Sequence, residues 1–184
     1  CPAFVSYIEK NFPSLVPNIS HNLSPMAQIA KWLHETDPSC HVVFIGPCIA
    51  KKAETKYTKT KEFVDYTITF EEMQEIRRQC PDILLECFMH GAMCMSYSGR
   101  LATAVEQALR EQGVTPEEFT LKATSCNGIA ECRTALLKAQ KGVLPENFIE
   151  GMACEGGCIG GPACLSHSSK NAAQVDAYGR SSME

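Results

Sequence analysis

The chain has 184 residues and a net charge of −4, with 45% hydrophobic and 21% charged side chains. That length buries a real core in one domain or two lobes, and with this acidic balance nothing points to nucleic acid or an anionic membrane surface. No apolar run reaches the length of a bilayer span and no signal peptide is visible; the chain starts at Cys1 without a methionine and reads as a fragment or a processed product.

A first helix is expected from Ala3 to Asn11, with Phe4, Tyr7, Ile8 and Phe12 on its apolar face. "LSPMAQIAKWLHETDP" predicts a second. Ser24 is a good N-cap, Pro25 suits the first helical position, and Met26, Ile29, Ala30 and Leu33 repeat at helical spacing before Pro38. "HVVFIG" (41–46) is a short β-branched run, hence a buried strand that leads straight into "PCIAKKAE". "VDYTITF" (64–70) predicts a further strand, and "EEMQEIRRQC" a helix stopped by Pro81. A helix follows over Leu101 to Gln112, then a strand in "FTLKATS" (119–125) and a helix in "GIAECRTALLKAQKG" closed by Gly142. "NFIEGMA" predicts a last short strand, and the polar tail one helix near Ala172 to Tyr178. Strands alternating with helices predict an α/β fold, with a mostly parallel sheet flanked by helices.

Eleven cysteines can be disulfides, metal ligands or buried apolar residues. The count is odd, and a chain this large and helix-rich does not need staples. Two cysteine sites follow predicted strands: Cys48 after "HVVFIG", and Cys154 with Cys158 after "NFIE". A parallel sheet brings such strand ends to one edge, where open α/β sheets hold ligands. Several thiolates converging in a dry pocket suit iron, and the surrounding glycines let the backbone approach an inorganic cluster. The three-residue gap between Cys154 and Cys158 suits zinc as well.

Three segments, "CPAFV", "GPCIAKKAE" and "EGMACEGGCIGG", resemble, in order, the signature segments of the [FeFe]-hydrogenases. The resemblance is strongest over 1–54 and 114–179. It implies one lobe of the iron-hydrogenase H-cluster domain, with the N-terminal lobe and accessory ferredoxin-type domains outside the 184 residues. It also implies the family's six-iron H-cluster: a [4Fe–4S] cubane joined through a cysteine to a two-iron unit carrying CO, cyanide and an azadithiolate. By the same resemblance Cys1, Cys48, Cys154 and Cys158 would ligate the cubane, and Cys158 would bridge to the two-iron unit. Lys51 would hydrogen-bond a cyanide, Glu54 closes the second signature, Met152 would pack beside the cluster, and Ser20 falls at the spacing of a proton-path serine. The implied reaction is 2H⁺ + 2e⁻ ⇌ H₂. The implied partners are ferredoxin or another iron–sulfur domain, H-cluster maturation proteins and the missing lobe, in the cytoplasm of an anaerobic prokaryote and without nucleic acid or membrane.

The sequence also departs from that pattern. The family's proton-passing cysteine precedes Cys1, so the 184 residues alone are expected to be inactive. Gly46 stands where many members have methionine, and the glycine run after Cys158 is shortened to "IGGPAC". These changes suggest a divergent, sensory or low-activity branch. "ECFMHGAMCMSYSGR" (86–100) resembles the cluster-binding segment of peptidase family U32-like proteins, with Cys94 at one ligand position, and reads as an atypical insertion or junction. Cys40, Cys80, Cys87 and Cys132 read as ordinary core or surface thiols. Cys126 with Cys132 is a weak candidate for an extra metal site, and Cys164 reads as packing. Lys52 is expected to face solvent. The five histidines are scattered, with no ligand spacing on one helix.

Overall fold

The computed structural model describes residues 1–19, 25–57, 59–82 and 100–181. Ser20, Ser24 and the atypical segment up to residue 99, including Cys87, His90 and Cys94, lie outside the described residues.

The architecture is α/β with parallel strand pairs flanked by helices, as the alternation of elements predicts. The strands form two separate two-stranded sheets among the described residues, not one continuous sheet. In the first half, helix α1 (Pro2–Asn11) passes through a 3₁₀ turn (Pro13–Asn18) towards helix α2 (Pro25–Thr36). Strand β1 (Val43–Ile45) pairs in parallel with β2 (Tyr66–Ile68), with Phe44 opposite Thr67. Between them lies α3 (Ile49–Tyr57), a helix that the sequence reading did not anticipate although "IAKKAETK" is rich in helix formers. Helix α4 (Phe70–Gln79) follows β2 directly. Its start is a capping box, in which the Thr69 side chain accepts from the Glu72 N–H while the Glu72 carboxylate accepts from the Thr69 N–H.

In the second half, helix α5 (Arg100–Glu111) precedes β3 (Ala123–Asn127), helix α6 (Ile129–Gln140) and β4 (Phe148–Met152). Strands β3 and β4 pair in parallel over five positions, Ala123 opposite Phe148 through Asn127 opposite Met152. Helix α7 (Asn171–Ser181) ends the described chain. Strand β3 begins later than "FTLKATS" suggests and runs on through Cys126. The chain before it is held by a side chain, since the Lys122 N–H donates to Asn147 Oδ1 at 2.7 Å.

The core lies between α1, β3, β4 and α6. Phe4, Ile8 and Phe12 pack with Cys126, Cys132, Ala135 and Leu136, and Ile149 and Tyr7 close its edge. The face of α2 differs from expectation. Its buried seam runs through Ala27 and Ala30, with His34 half-buried, while Ile29 is 55% and Trp32 61% exposed. His34 anchors the end of α2 through a 3.1 Å contact from Nε2 to the Phe63 carbonyl.

Candidate metal centre

Cys48 stands at the turn between β1 and α3, immediately before the first helical residue. Cys154 and Cys158 lie in the loop after β4, Cys158 within a 3₁₀ turn (Gly157–Gly160). These two loops belong to different sheets and are fastened together. The Ala163 N–H donates to the Pro47 carbonyl at 3.2 Å, and the residue after Pro47 is Cys48. Gly161 makes this approach possible, because a β-carbon there would lie 2.7 Å from the Pro47 carbonyl oxygen. The glycine-rich sequence after Cys158 therefore serves contact between two backbones.

The loop of Cys154 and Cys158 is also held from β3. Asn127 Oδ1 accepts from the Gly156 N–H at 2.8 Å. The Asn127 N–H itself donates to Glu131 at 2.7 Å, and the Gly128 N–H donates to the Met152 carbonyl at 2.9 Å. The Cys132 thiol also donates to the Met152 carbonyl, at 3.5 Å. Met152, half-buried at the end of β4, is thus fixed through its backbone.

Cys1 is brought in by α1. The helix lies against β4 so closely that a β-carbon on Gly151 would fall 2.2 Å from the Phe4 ring, and α1 also touches α3. Cys1 is exposed as a residue, but its nitrogen is enclosed. Its backbone nitrogen lies in the field of Lys51, Glu54, Cys158 and Cys48. Cys158 lies at the centre of this field. Burial pushes its thiol up, as do Cys48 and Cys154, while Lys51 pulls it down. Burial also raises Cys154, helped by Cys48 and Cys164, and it raises Cys164.

Lys51 and Glu54 face each other on α3, with Nζ 2.6 Å from Oε2 and side chains 16% and 12% exposed. The Lys51 ammonium also lies 5.7 Å from the centre of the Phe44 ring. Lys52, expected to face solvent, reaches Glu72 of the α4 capping box at 2.5 Å while remaining partly exposed. The structure therefore brings Cys1, Cys48, Cys154, Cys158, Lys51 and Glu54 into one electrostatic neighbourhood. Among the described residues no three His, Cys, Asp or Glu side chains are gathered as for a single metal ion. A multi-iron cluster takes its ligands from a wider circle, and thiols that oppose one another's ionisation are relieved by bound cationic iron.

Cys126 and Cys132 are buried in the core, Cys132 completely, and its thiol is pushed up to about 11 by burial. Sequence reasoning missed Asn127, Gly151 and Gly161 as residues that place the site. The "NG" pair at 127–128, between a predicted strand and a helix, was the available signal.

A family described as "Iron only hydrogenase large subunit, C-terminal domain" matches residues 1–83 and 89–162. The chain belongs to this family. Its match is interrupted between 83 and 89 and resumes within the segment 86–100. The [FeFe]-hydrogenase HydA1 from Chlamydomonas reinhardtii superposes with a TM-score of 0.69 over 96% of this chain and 64% of that one, at 18% identity, a likeness of fold. The periplasmic [Fe] hydrogenase large subunit of Nitratidesulfovibrio vulgaris is 28% identical over 207 residues, covering 88% of this chain and 49% of its own length. Two further relatives match over shorter stretches. The tRNA hydroxylation protein P of Haemophilus influenzae is 33% identical over 54% of this chain, and the cytosolic Fe-S cluster assembly factor NAR1 of Kluyveromyces lactis 38% identical over 39%. The chain spans 17% and 15% of these two proteins. The iron-only hydrogenase family thus includes this chain, and iron–sulfur binding is the family property its cysteine loops match. Among the described residues no helix is long and apolar enough to cross a membrane.

Proposed function

We propose that this chain supplies the thiolate side of a hydrogenase-type iron–sulfur site, with Cys1, Cys48, Cys154 and Cys158 as ligands of a [4Fe–4S] cubane. The reading is carried by the fastening of the Cys48 loop to the Cys158 loop through Ala163 and Pro47. It places two cysteine loops from separate sheets at one point, with the Cys1 nitrogen in the same field. Soft thiolates are the natural ligands of iron–sulfur clusters. The role of the cysteines is to hold the cluster, and that of Lys51 is to keep a positive charge beside it in a half-buried position.

In the fuller form of this reading, Cys158 also bridges to the two-iron unit with its CO, cyanide and azadithiolate. That group supplies the reversible chemistry 2H⁺ + 2e⁻ ⇌ H₂ when bound. Lys51 would then donate to a cyanide, Glu54 would hold the Lys51 ammonium in place, Met152 would pack beside the group, and Ser20 would belong to a proton path. Ferredoxin or an iron–sulfur domain would exchange electrons, maturation proteins would deliver the two-iron unit, and a second lobe would complete the pocket. Eleven cysteines in a chain too large to need disulfide staples favour a reducing compartment, and we place the protein in the cytoplasm of an anaerobic cell.

A second reading, a module that carries the cubane alone for sensing or electron transfer, is favoured by the NAR1 and tRNA hydroxylation relatives. It also fits the Lys51 ammonium being engaged by Glu54.

The test is anaerobic reconstitution of the full-length protein with iron and sulfide, followed by the two-iron precursor. Cubane absorbance and a reduced-state paramagnetic signal are expected, then infrared bands of CO and cyanide. Absence of a cubane sinks both readings, and a cubane without those bands selects the second.

A further inference from the structure

Cys164 takes no part in the reading above, and none of the three signature segments contains it. It stands six residues beyond Cys158, half-buried. Its thiol points back at the 3₁₀ turn that carries Cys158. The Sγ donates to the Ile159 carbonyl at 3.1 Å and to the Cys158 carbonyl at 3.3 Å. The backbone closes the same ring. The Gly161 N–H donates to the Cys158 carbonyl at 3.1 Å, and the Cys164 N–H to the Gly161 carbonyl at 3.1 Å. Between them, the Ala163 N–H reaches across to Pro47. Residues 158–164 thus form a closed clamp. One end holds the peptide of Cys158, and the middle holds the loop of Cys48.

We propose that Cys164 is a positioning residue, whose thiol proton locks the peptide of Cys158 and so the direction in which the Cys158 sulfur is presented to an iron–sulfur cluster. The inference rests on the cluster reading above. The Ile159 carbonyl lies at the end of a 3₁₀ turn with no further helical turn to satisfy it, and the Cys158 carbonyl, which already accepts from the Gly161 N–H, gains a second donor in the thiol. A thiol is a weak donor but a compact one, and two acceptors share it here. Without it the 158–159 peptide has lost one of its restraints, and the Cys158 sulfur samples a wider range of orientations. Serine keeps a donor at the same place, whereas alanine removes it.

The experiment compares the wild-type full-length protein with Cys164→Ser and Cys164→Ala, each reconstituted anaerobically with ferrous iron and sulfide. Three quantities are read: the rate of iron release to a chelator, the paramagnetic spectrum of the reduced cluster, and the thermal midpoint of the cluster-free protein. Cys164→Ala should release iron roughly three- to tenfold faster and broaden the spectrum, the effect of one lost hydrogen bond near the cluster. Cys164→Ser should stay close to wild type, and cluster-free Cys164→Ala should melt only a few degrees below it, roughly the cost of one hydrogen bond. Release from Cys164→Ala at the wild-type rate overturns the inference. So does Cys164→Ser behaving like Cys164→Ala, a cluster-free Cys164→Ala that no longer melts cooperatively, or a fall in iron per chain in both variants, which would make Cys164 a ligand. A wild-type protein that takes up no cluster overturns the cluster reading and this inference with it, whereas a loaded wild type matched by Cys164→Ala overturns the inference alone.

Discussion

Lys51 and Lys52 are neighbours with different surroundings. The Lys51–Glu54 pair is largely buried within one turn of α3, while Lys52–Glu72 links two helices at a partly exposed position. Removing one partner of a buried pair costs more than removing one partner of an exposed pair, because the remaining charge stays out of water. Lys51→Met should therefore lower stability by about 2–4 kcal/mol, and Lys52→Met by less than about 1 kcal/mol. The double variant Lys51→Met with Glu54→Leu should recover most of the loss. Urea unfolding of the cluster-free proteins measures all three, and equal losses for the two lysines would contradict the burial difference. Asn127 is a second residue of this kind, since its side chain holds the Gly156 N–H. Asn127→Ala should raise hydrogen exchange at Gly156 by roughly tenfold, the factor of one broken hydrogen bond, and leave the β3–β4 ladder protected. Unchanged exchange at Gly156 would mean that the loop is held by other contacts.

Helix α1 and strand β4 meet where the strand has no side chain. Phe4 lies over Gly151, one residue before Met152 and three before Cys154, so the helix carrying Cys1 docks directly beside the loop of Cys154 and Cys158. A methyl group at 151 must displace the ring or the helix. Gly151→Ala should destabilise the protein by about 1–3 kcal/mol through overpacking, and Phe4→Leu in the same chain should relieve part of it. Thermal or urea melts of the single and double variants decide this, and a neutral Gly151→Ala would show that α1 sits further from β4. The start of α4 illustrates the opposite case, a local device. Thr69 and Glu72 satisfy each other's backbone N–H groups without help from the rest of the fold, although Lys52 binds the same carboxylate.

For the molecule as a whole, the buried thiols couple stability to alkaline pH. The thiol of Cys132 titrates at about 11 in the fold against an ordinary 9.0, because burial disfavours the thiolate. Cys126, Cys154, Cys158 and Cys164 are shifted in the same direction, each first by burial. The folded chain keeps these protons when the unfolded chain has lost them. The stabilisation is therefore full below pH 9.0 and declines as pH rises towards about 11, through Cys132 alone by at most about 3 kcal/mol. Urea midpoints of the cluster-free protein should fall between pH 8.5 and 10.5 (conditions spanning roughly the thiol range), and Cys132→Ala should fall less steeply. A flat wild-type profile would rule out this coupling.

Much of this was legible in local sequence. The apolar spacing of Phe4, Ile8 and Phe12 marks α1 and its buried face, Pro25 marks the start of α2, and the placing of Cys48 and Cys154 after β-branched runs puts both at strand ends. These features depend on neighbours within a turn or a strand, where periodicity and capping act. The helix after Cys48 was missed for want of an apolar stripe, since its order comes from packing against α1 and β2. Nor does any local pattern say that the four strands among the described residues split into two pairs, that Ile29 and Trp32 face outward, or that Ala163 meets Pro47. Each of those is settled by contact between segments far apart in the chain. Whether such a contact forms depends on which surfaces fit at close range, and at Gly151 and Gly161 on the space left by a missing side chain.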